Sequence, residues 1–152
     1  MKSNRLILDQ LDSKIKNCKN LSDVIAPSKG WIYSIRKALN MSLRQLGERM
    51  SITTQSVWEI ENREKNGTIS LNVLRQVGES LNMRLVYGFI PEDASLHKMI
   101  EKRALALATE IVQRTSVSMA LENQKPSKGY IDRAIKEKAH EIREEMPKYL
   151  WD

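Results

Sequence analysis

The sequence predicts a mainly α protein: a bundle of short helices, one short β-strand, then a long helix and a C-terminal helix. Three observations carry this. Aromatic residues make up only 5% of the chain, and Leu, Ile, Ala and Met supply most of the apolar surface, a balance that suits helices better than sheets. Apolar residues recur at three- and four-residue spacing in successive stretches, most of them preceded by a Ser or Thr placed to cap a helix. One run alone, Met83-Arg84-Leu85-Val86-Tyr87-Gly88-Phe89-Ile90, changes to strand-forming residues and stops at Pro91.

The elements follow in order. Residues 3–19 place Leu8, Leu11 and Ile15 at helical spacing, with Lys14, Lys16 and Lys19 near the end, where cations suit the helix dipole. Segment 1–29, with six basic and three acidic residues, is the most basic part of the chain; it reads either as an arm lying on phosphates or as a solvated helix packed on the next domain. Ser28 is the expected cap of a helix over 29–39 with Trp31, Ile35, Ala38 and Leu39 as its apolar stripe, Trp31 being read as a core residue. The stretch Ser42–Arg63, SLRQLGERMSITTQSVWEIENR, reads as two helices joined by a tight turn. Ser42 caps the first, with Leu43, Leu46 and Met50 on one face and Gly47 small where the second helix crosses. Thr53 caps the second, whose inner side is Val57, Ile60 and Glu61. A loop at 65–68 leads to Ser70, cap of a helix to Leu81 with Leu71, Leu74, Val77 and Leu81 inward; Asn82 then takes a left-handed position. The strand at 83–90 needs a partner for its amides, either another strand or its own copy in a dimer. A long helix runs from Ser95 to about Glu122. Residues 123–130, NQKPSKGY, break the pattern. A helix over about 129–145 carries Ile131, Ile135, Ile142 and Met146, and an aromatic tail ends in Tyr149 and Trp151. Three regions result: 1–27, an N-terminal helix or arm; 28–93, the helical domain with its strand; and 94–152, the C-terminal helical region.

The chain of 152 residues is 41% hydrophobic and 29% charged, enough for one substantial core or a small domain with an appendage. The net charge of +6 permits nucleic-acid binding without requiring it. A single cysteine, Cys18, excludes an internal disulfide and suits a reducing compartment. The N-terminus lacks the apolar core of a signal peptide, and no run approaches membrane-spanning length, so a cytoplasmic location is expected. His97 and His140 stand isolated, with no second His or Cys at metal spacing, and no phosphate loop or nucleophile motif occurs. Neither an enzyme nor a metal or other cofactor is expected.

The outward residues of the helix after Thr53 are short and polar, as reading of a DNA major groove requires. Residues 30–81 resemble the XRE/Cro/phage-repressor family of helix-turn-helix domains, most specifically in TTQSVWEIENR at 53–63 with Val57, Ile60 and Glu61. The sequence departs from that pattern at Ser51 (usually Gly), Gly47 (usually Ala) and Leu43 (usually Gln). The resemblance implies that Thr54, Gln55 and Glu59 face base edges. Ser56, Asn62 and Arg63 then hold phosphates with Arg44 and Lys65, and Thr53 caps the reading helix. Trp58 is outward in the same register. Domains of this kind bind double-stranded operator DNA as dimers, which makes transcriptional repression the expected activity.

A second motif ends the long helix. Ser118-Met119-Ala120-Leu121-Glu122-Asn123 fits [S/T]-x-x-x-E-[G/N], and resembles the inhibitory motif of Fic-domain adenylyltransferases and their small antitoxins. Ser118 and Glu122, four apart, share a helical face; Asn123 suits the left-handed end; Glu offers a bidentate acceptor to a guanidinium. In that family the Glu pairs with an Arg that should hold the ATP γ-phosphate. Roughly residues 25–150 are also similar to the family called mobile mystery protein A, found on mobile elements beside a Fic-domain partner, mobile mystery protein B. The features are PSKGWIYSIRKALNMSLRQLG at 27–47 and LNMRLVYGFIPED at 81–93. The resemblance implies an antitoxin of a type II toxin–antitoxin pair that inhibits AMPylation and autoregulates its operon. The alternative is a plain dimeric repressor whose C-terminal helices dimerise or sense a ligand.

Overall fold

The computed structural model describes residues 2–123 and 126–152, so Gln124 and Lys125 of the expected break lie outside the described residues. The protein is mainly α. Its helices are α1 (Lys2–Asn17), α2 (Trp31–Ala38), α3 (Leu43–Met50), α4 (Thr54–Lys65), α5 (Leu71–Ser80), α6 (Leu96–Leu121) and α7 (Lys128–Glu145), with single 3-10 turns at Cys18–Leu21 and Lys148–Trp151. Two compact units form. One is Asp23–Tyr87; the other joins Met1–Ser22 to Gly88–Asp152. The N-terminal helix therefore belongs to the same unit as the C-terminal helices instead of standing as a separate arm, and the boundary after the first bundle falls at 87/88, ahead of the expected 93.

In unit 23–87, Ile32, Leu46, Val57, Val77 and Leu81 form the buried core, with Ile35, Met50, Ile60 and Leu74 packed around them. The Ser42 hydroxyl accepts from the Gln45 amide while the Gln45 side chain accepts from the Ser42 amide, a reciprocal cap on α3. Thr53 and Ser70 cap α4 and α5 as expected. Asn82, at φ 56°, takes the left-handed position that ends α5.

Helix α2 departs from its expectation. It starts at Trp31, and Ser28 does not cap it. Instead the Glu64 carboxylate, reaching from α4, accepts from the amides of Trp31 and Ile32 at 2.6 and 2.9 Å. Gly30 precedes them at φ 87°, a backbone conformation that favours glycine, and a Cβ there would push on the Glu64 carboxylate at 2.9 Å. The inward face is Ile32, Ile35 and Arg36; Trp31, Ala38 and Leu39 are exposed. Of the expected stripe only Ile35 is inward; the buried positions are Ile32 and, four residues on, Arg36, so the true face is centred on an ion-paired arginine that an apolar pattern does not mark. In α5, Leu71 is likewise exposed, while Leu74, Val77 and Leu81 turn inward.

Arg36 is 6% exposed and its partner Glu61 also 6%. Nε and an Nη of Arg36 donate to the two carboxylate oxygens of Glu61 at 2.6 and 3.2 Å, and the other Nη donates to the Met41 carbonyl at 2.9 Å. A charge taken out of water on either helix is thereby matched by the other.

The expected strand is not formed. Residues 83–90 enter no helix or sheet, because a lone strand has no neighbour to complete its ladder.

In the second unit, α6 and α7 pack along each other. Ile100 and Ala104, near the start of α6, share a core with Ile142 and Leu150, near the end of the chain, so the two helices run antiparallel. Ala104 and Ala108 are small and fully covered, which lets α7 approach closely. Ser95 caps α6, and Asp12 of α1 adds a second cap from outside: its carboxylate accepts from the amides of Leu96 and His97 at 2.7 and 3.1 Å. Ser127 caps α7. Of the tail, Leu150 is buried, whereas Tyr149 and Trp151 remain about half exposed. Arg103 holds it by donating to the Leu150 carbonyl at 2.6 Å. No helix among the described residues is long and apolar enough to cross a membrane.

The buried pair sets an expectation for stability. Glu61→Ala leaves Arg36 buried without a counter-charge and should cost the 23–87 unit about 3–5 kcal/mol. The double exchange Arg36→Met, Glu61→Leu should recover most of that loss. Urea unfolding of the three proteins (parent, single and double variant) followed by circular dichroism measures both.

Candidate nucleic-acid interface and helix-end motif

The first candidate site is the outer face of α4. Val57, 1% exposed, and Glu61 fix which side of the helix is inward, with Ile60 partly covered beside them. The opposite side then presents Thr54, Gln55, Trp58, Glu59 and Asn62, four of them exposed and Asn62 half-buried. Thr54 and Gln55 stand in the first turn with no hydrogen-bond partner for their side chains among the described residues. Thr53 and Ser56 are differently placed. The Thr53 hydroxyl accepts from the Ser56 amide at 3.1 Å, and the two hydroxyls lie 2.8 Å apart. Their first task is to close the helix start. Glu59 lies 3.8 Å from Arg63, and Arg44 pairs with Glu48 at 2.6 Å, all four side chains about half exposed or more. Such pairs contribute only about 0.3–0.5 kcal/mol, so an incoming phosphate can displace them. Lys65, the last residue of α4, is exposed. Trp58 is 51% exposed in the middle of the outer face.

The approach of α3 to α4 depends on Gly47. A Cβ there would meet the Ile52 carbonyl oxygen at 2.8 Å, the Val57 side chain at 3.4 Å and the Thr53 backbone at 3.5 Å. Ser51, at φ 58°, makes the left-handed turn between the helices. A serine holds that conformation with more strain than a glycine would.

The second candidate site is the C-terminal end of α6. Ser118 and Glu122 are both exposed. The Ser118 hydroxyl donates to the Arg114 carbonyl one turn back at 3.2 Å, and its own carbonyl accepts from the Glu122 amide at 3.3 Å. Asn123 takes φ 59°, the left-handed end anticipated from the motif. The neighbouring apolar side chains Val117 and Leu121 are 62% and 82% exposed. The helix end thus presents a carboxylate beside open apolar surface.

The two candidate sites belong to different units of the chain. Sequence reasoning missed three residues that hold the helices: Arg36, Glu64 and Asp12. Only Arg36 left a trace, since it lies four residues after Ile32 and shares its face. His97 is not isolated: its Nε2 lies 2.7 Å from Asp9 Oδ1 and donates to it. His140 is exposed beside Arg143.

Comparison of the chain with protein-family models, with curated proteins and with solved structures returned no match.

Gly47→Ala should lower the stability of the 23–87 unit by about 1–3 kcal/mol, because the clash with a backbone carbonyl outweighs the gain of about 1 kcal/mol in helix propensity. Thermal unfolding of the variant beside the parent chain decides the sign.

Proposed function

We propose that the protein is a dual-function antitoxin. In this reading the 23–87 unit is an XRE/Cro-like helix-turn-helix domain that binds operator DNA and represses its own operon. The end of α6 silences a Fic-domain adenylyltransferase resembling mobile mystery protein B. The observation that carries the reading is the occurrence in one chain of a polar outward face on α4 and an exposed Ser118–Glu122 pair closing a long helix.

On DNA, α4 enters the major groove with Thr54, Gln55 and Glu59 toward base edges. Gln55 pairs bidentately with adenine, and Glu59 accepts from a cytosine amino group. Arg44, Asn62, Arg63 and Lys65 hold phosphates, while Thr53 and Ser56 keep the first turn closed at the groove. On the toxin, Glu122 takes the arginine that would otherwise hold the ATP γ-phosphate, a charge-assisted bidentate contact. Ser118 and Asn123 act through the helix end and support Glu122. The chain works by binding and needs no cofactor. The net charge of +6 and the single cysteine suit a DNA-binding protein of the bacterial cytoplasm.

Two exchanges test the two halves separately. With DNA from upstream of its own gene, Gln55→Ala should weaken binding by about 1–3 kcal/mol and relax one base position. An unchanged footprint removes Gln55 from the reading set. With the neighbouring gene's product, expected to carry HPFx[D/E]GN[G/K]R, Glu122→Gly should restore adenylylation in a co-expression assay while leaving DNA binding intact. Inhibition at full strength in that variant sinks the toxin half and leaves a repressor.

A further inference from the structure

Within the unit that joins 1–22 to 88–152, helices α1 and α6 and the last turn of α7 line a cavity of about 400 Å³. That size falls in the roughly 300–1,000 Å³ range of small-molecule sites. Its apolar part is Leu8, Ile100 and Met146, with Ile100 only 5% exposed. Around this patch stand charged groups of both signs, and they fall into two sets.

The first set is cationic. Arg5 of α1 and Arg143 of α7 meet at one carboxylate: Glu144 accepts from an Nη of Arg5 at 2.8 Å and stands 3.6 Å from an Nη of Arg143. Two guanidiniums therefore share one negative charge. In each, Nε and the second Nη have no partner among the described residues, so the pair can receive another carboxylate between them.

The second set is anionic. The carbonyls of Arg143, Glu144 and Glu145 accept no backbone hydrogen bond among the described residues. Pro147 has no N–H with which to close the first of them. These carbonyls form the negative end of the α7 dipole, where a cation is favoured. Glu145, in the same turn, adds a negative charge instead of opposing the dipole. It is exposed and enters no ion pair among the described residues. Glu101, also on the cavity wall, is already engaged: Lys98 donates to it at 2.9 Å, which holds its carboxyl below the usual carboxylate range. Glu145 and the open carbonyls are the acceptors left for a cation.

We propose that this cavity binds a small zwitterion, an α-amino acid with an apolar side chain. Its carboxylate lies between Arg5 and Arg143, its ammonium meets Glu145 and the end of α7, and its side chain covers Leu8, Ile100 and Met146. An amine alone leaves the arginine pair unserved, and a carboxylate alone leaves Glu145 and the helix end unserved. A zwitterion answers both sets and leaves the net charge of the site unchanged. The ligand touches α1 and α7 together, so binding fastens α1, whose other ties are Asp9 to His97 and Asp12 to the start of α6. The site lies apart from the surfaces of the DNA and toxin readings and stands or falls without them.

The test is calorimetric titration of the full chain with leucine, methionine and phenylalanine, then with the decarboxylated and deaminated analogues of the tightest binder (for leucine, isopentylamine and isocaproate). The tightest amino acid should bind with a Kd below about 1 mM, and each analogue at least about tenfold more weakly. Arg143→Gln and Glu145→Gln should each weaken its binding at least about tenfold with an unchanged helical spectrum. At saturation the amino acid should slow tryptic cleavage after Lys14 and Lys16 in α1 at least about threefold. Absence of binding by all three at about 10 mM overturns the proposal. An analogue that binds as tightly as its amino acid overturns the zwitterion as the ligand class. Binding indifferent to both exchanges, or without protection of α1, overturns the assignment to this cavity.

Discussion

Arg36 and Glu61 are carried out of water together, and the 23–87 unit is arranged around that necessity. Neither charge can stay buried without the other, so α2 and α4 are bound to one separation and one rotation about their axes. The guanidinium is further engaged by the Met41 carbonyl ahead of α3, and stands 5.5 Å from the Tyr33 ring centroid. Burying Glu61 with Val57 leaves no freedom in which side of α4 faces solvent. The polar outer face of the helix is therefore a consequence of the ion pair as much as of hydrophobic burial. A carboxylate in place of one more leucine gives the helix a defined rotation, since an apolar contact can slide whereas a two-pronged hydrogen bond cannot.

Carboxylates from distant elements also close two helix starts. Glu64 receives the first amides of α2, and Asp12 those of α6. In each case a negative group meets the positive end of a helix and removes orphan donors. Glu64 thereby adds a second tie between α2 and α4, within one turn of Glu61. Asp12 is the reason α1 belongs with the C-terminal helices: it joins a basic N-terminal helix to the start of α6, with Leu8 in the same core.

The two proposed activities ask different things of their helices. A reading helix must be held in rotation, and α4 is held on its inner side by Val57, Glu61 and Glu64. An inhibitory helix end must be open to a partner. The end of α6 meets that need, with Glu122 in solvent and Leu121 almost uncovered. The far end of α6, by contrast, is packed against α7 and the tail through Ile100 and Ala104. Stability at one end and accessibility at the other let a single helix serve both purposes.

The sequence by itself determined the helices, most of their caps and the tight turn between α3 and α4. Ser42, Thr53, Ser70 and Ser95 cap locally, and the left-handed positions of Asn82 and Asn123 come from side chains that tolerate that backbone. Such features depend on a few neighbouring residues and leave a local signature. Both candidate sites were named from the sequence at that level, as polar residues outside an apolar stripe and as a motif at a helix end. Only the tertiary structure decided the rotation of α2, the start of that helix, the place of α1 and the fate of residues 83–90. Each depends on a group far away in the chain. Arg36 became a core residue because Glu61 meets it, and Ser28 lost its capping role because Glu64 arrives from thirty-odd residues on. The strand-forming run failed to become a strand because no second extended segment among the described residues pairs with it. Burial of charge and completion of a β-ladder are properties of pairs, and a pattern read along one strand of sequence contains only one member of each pair.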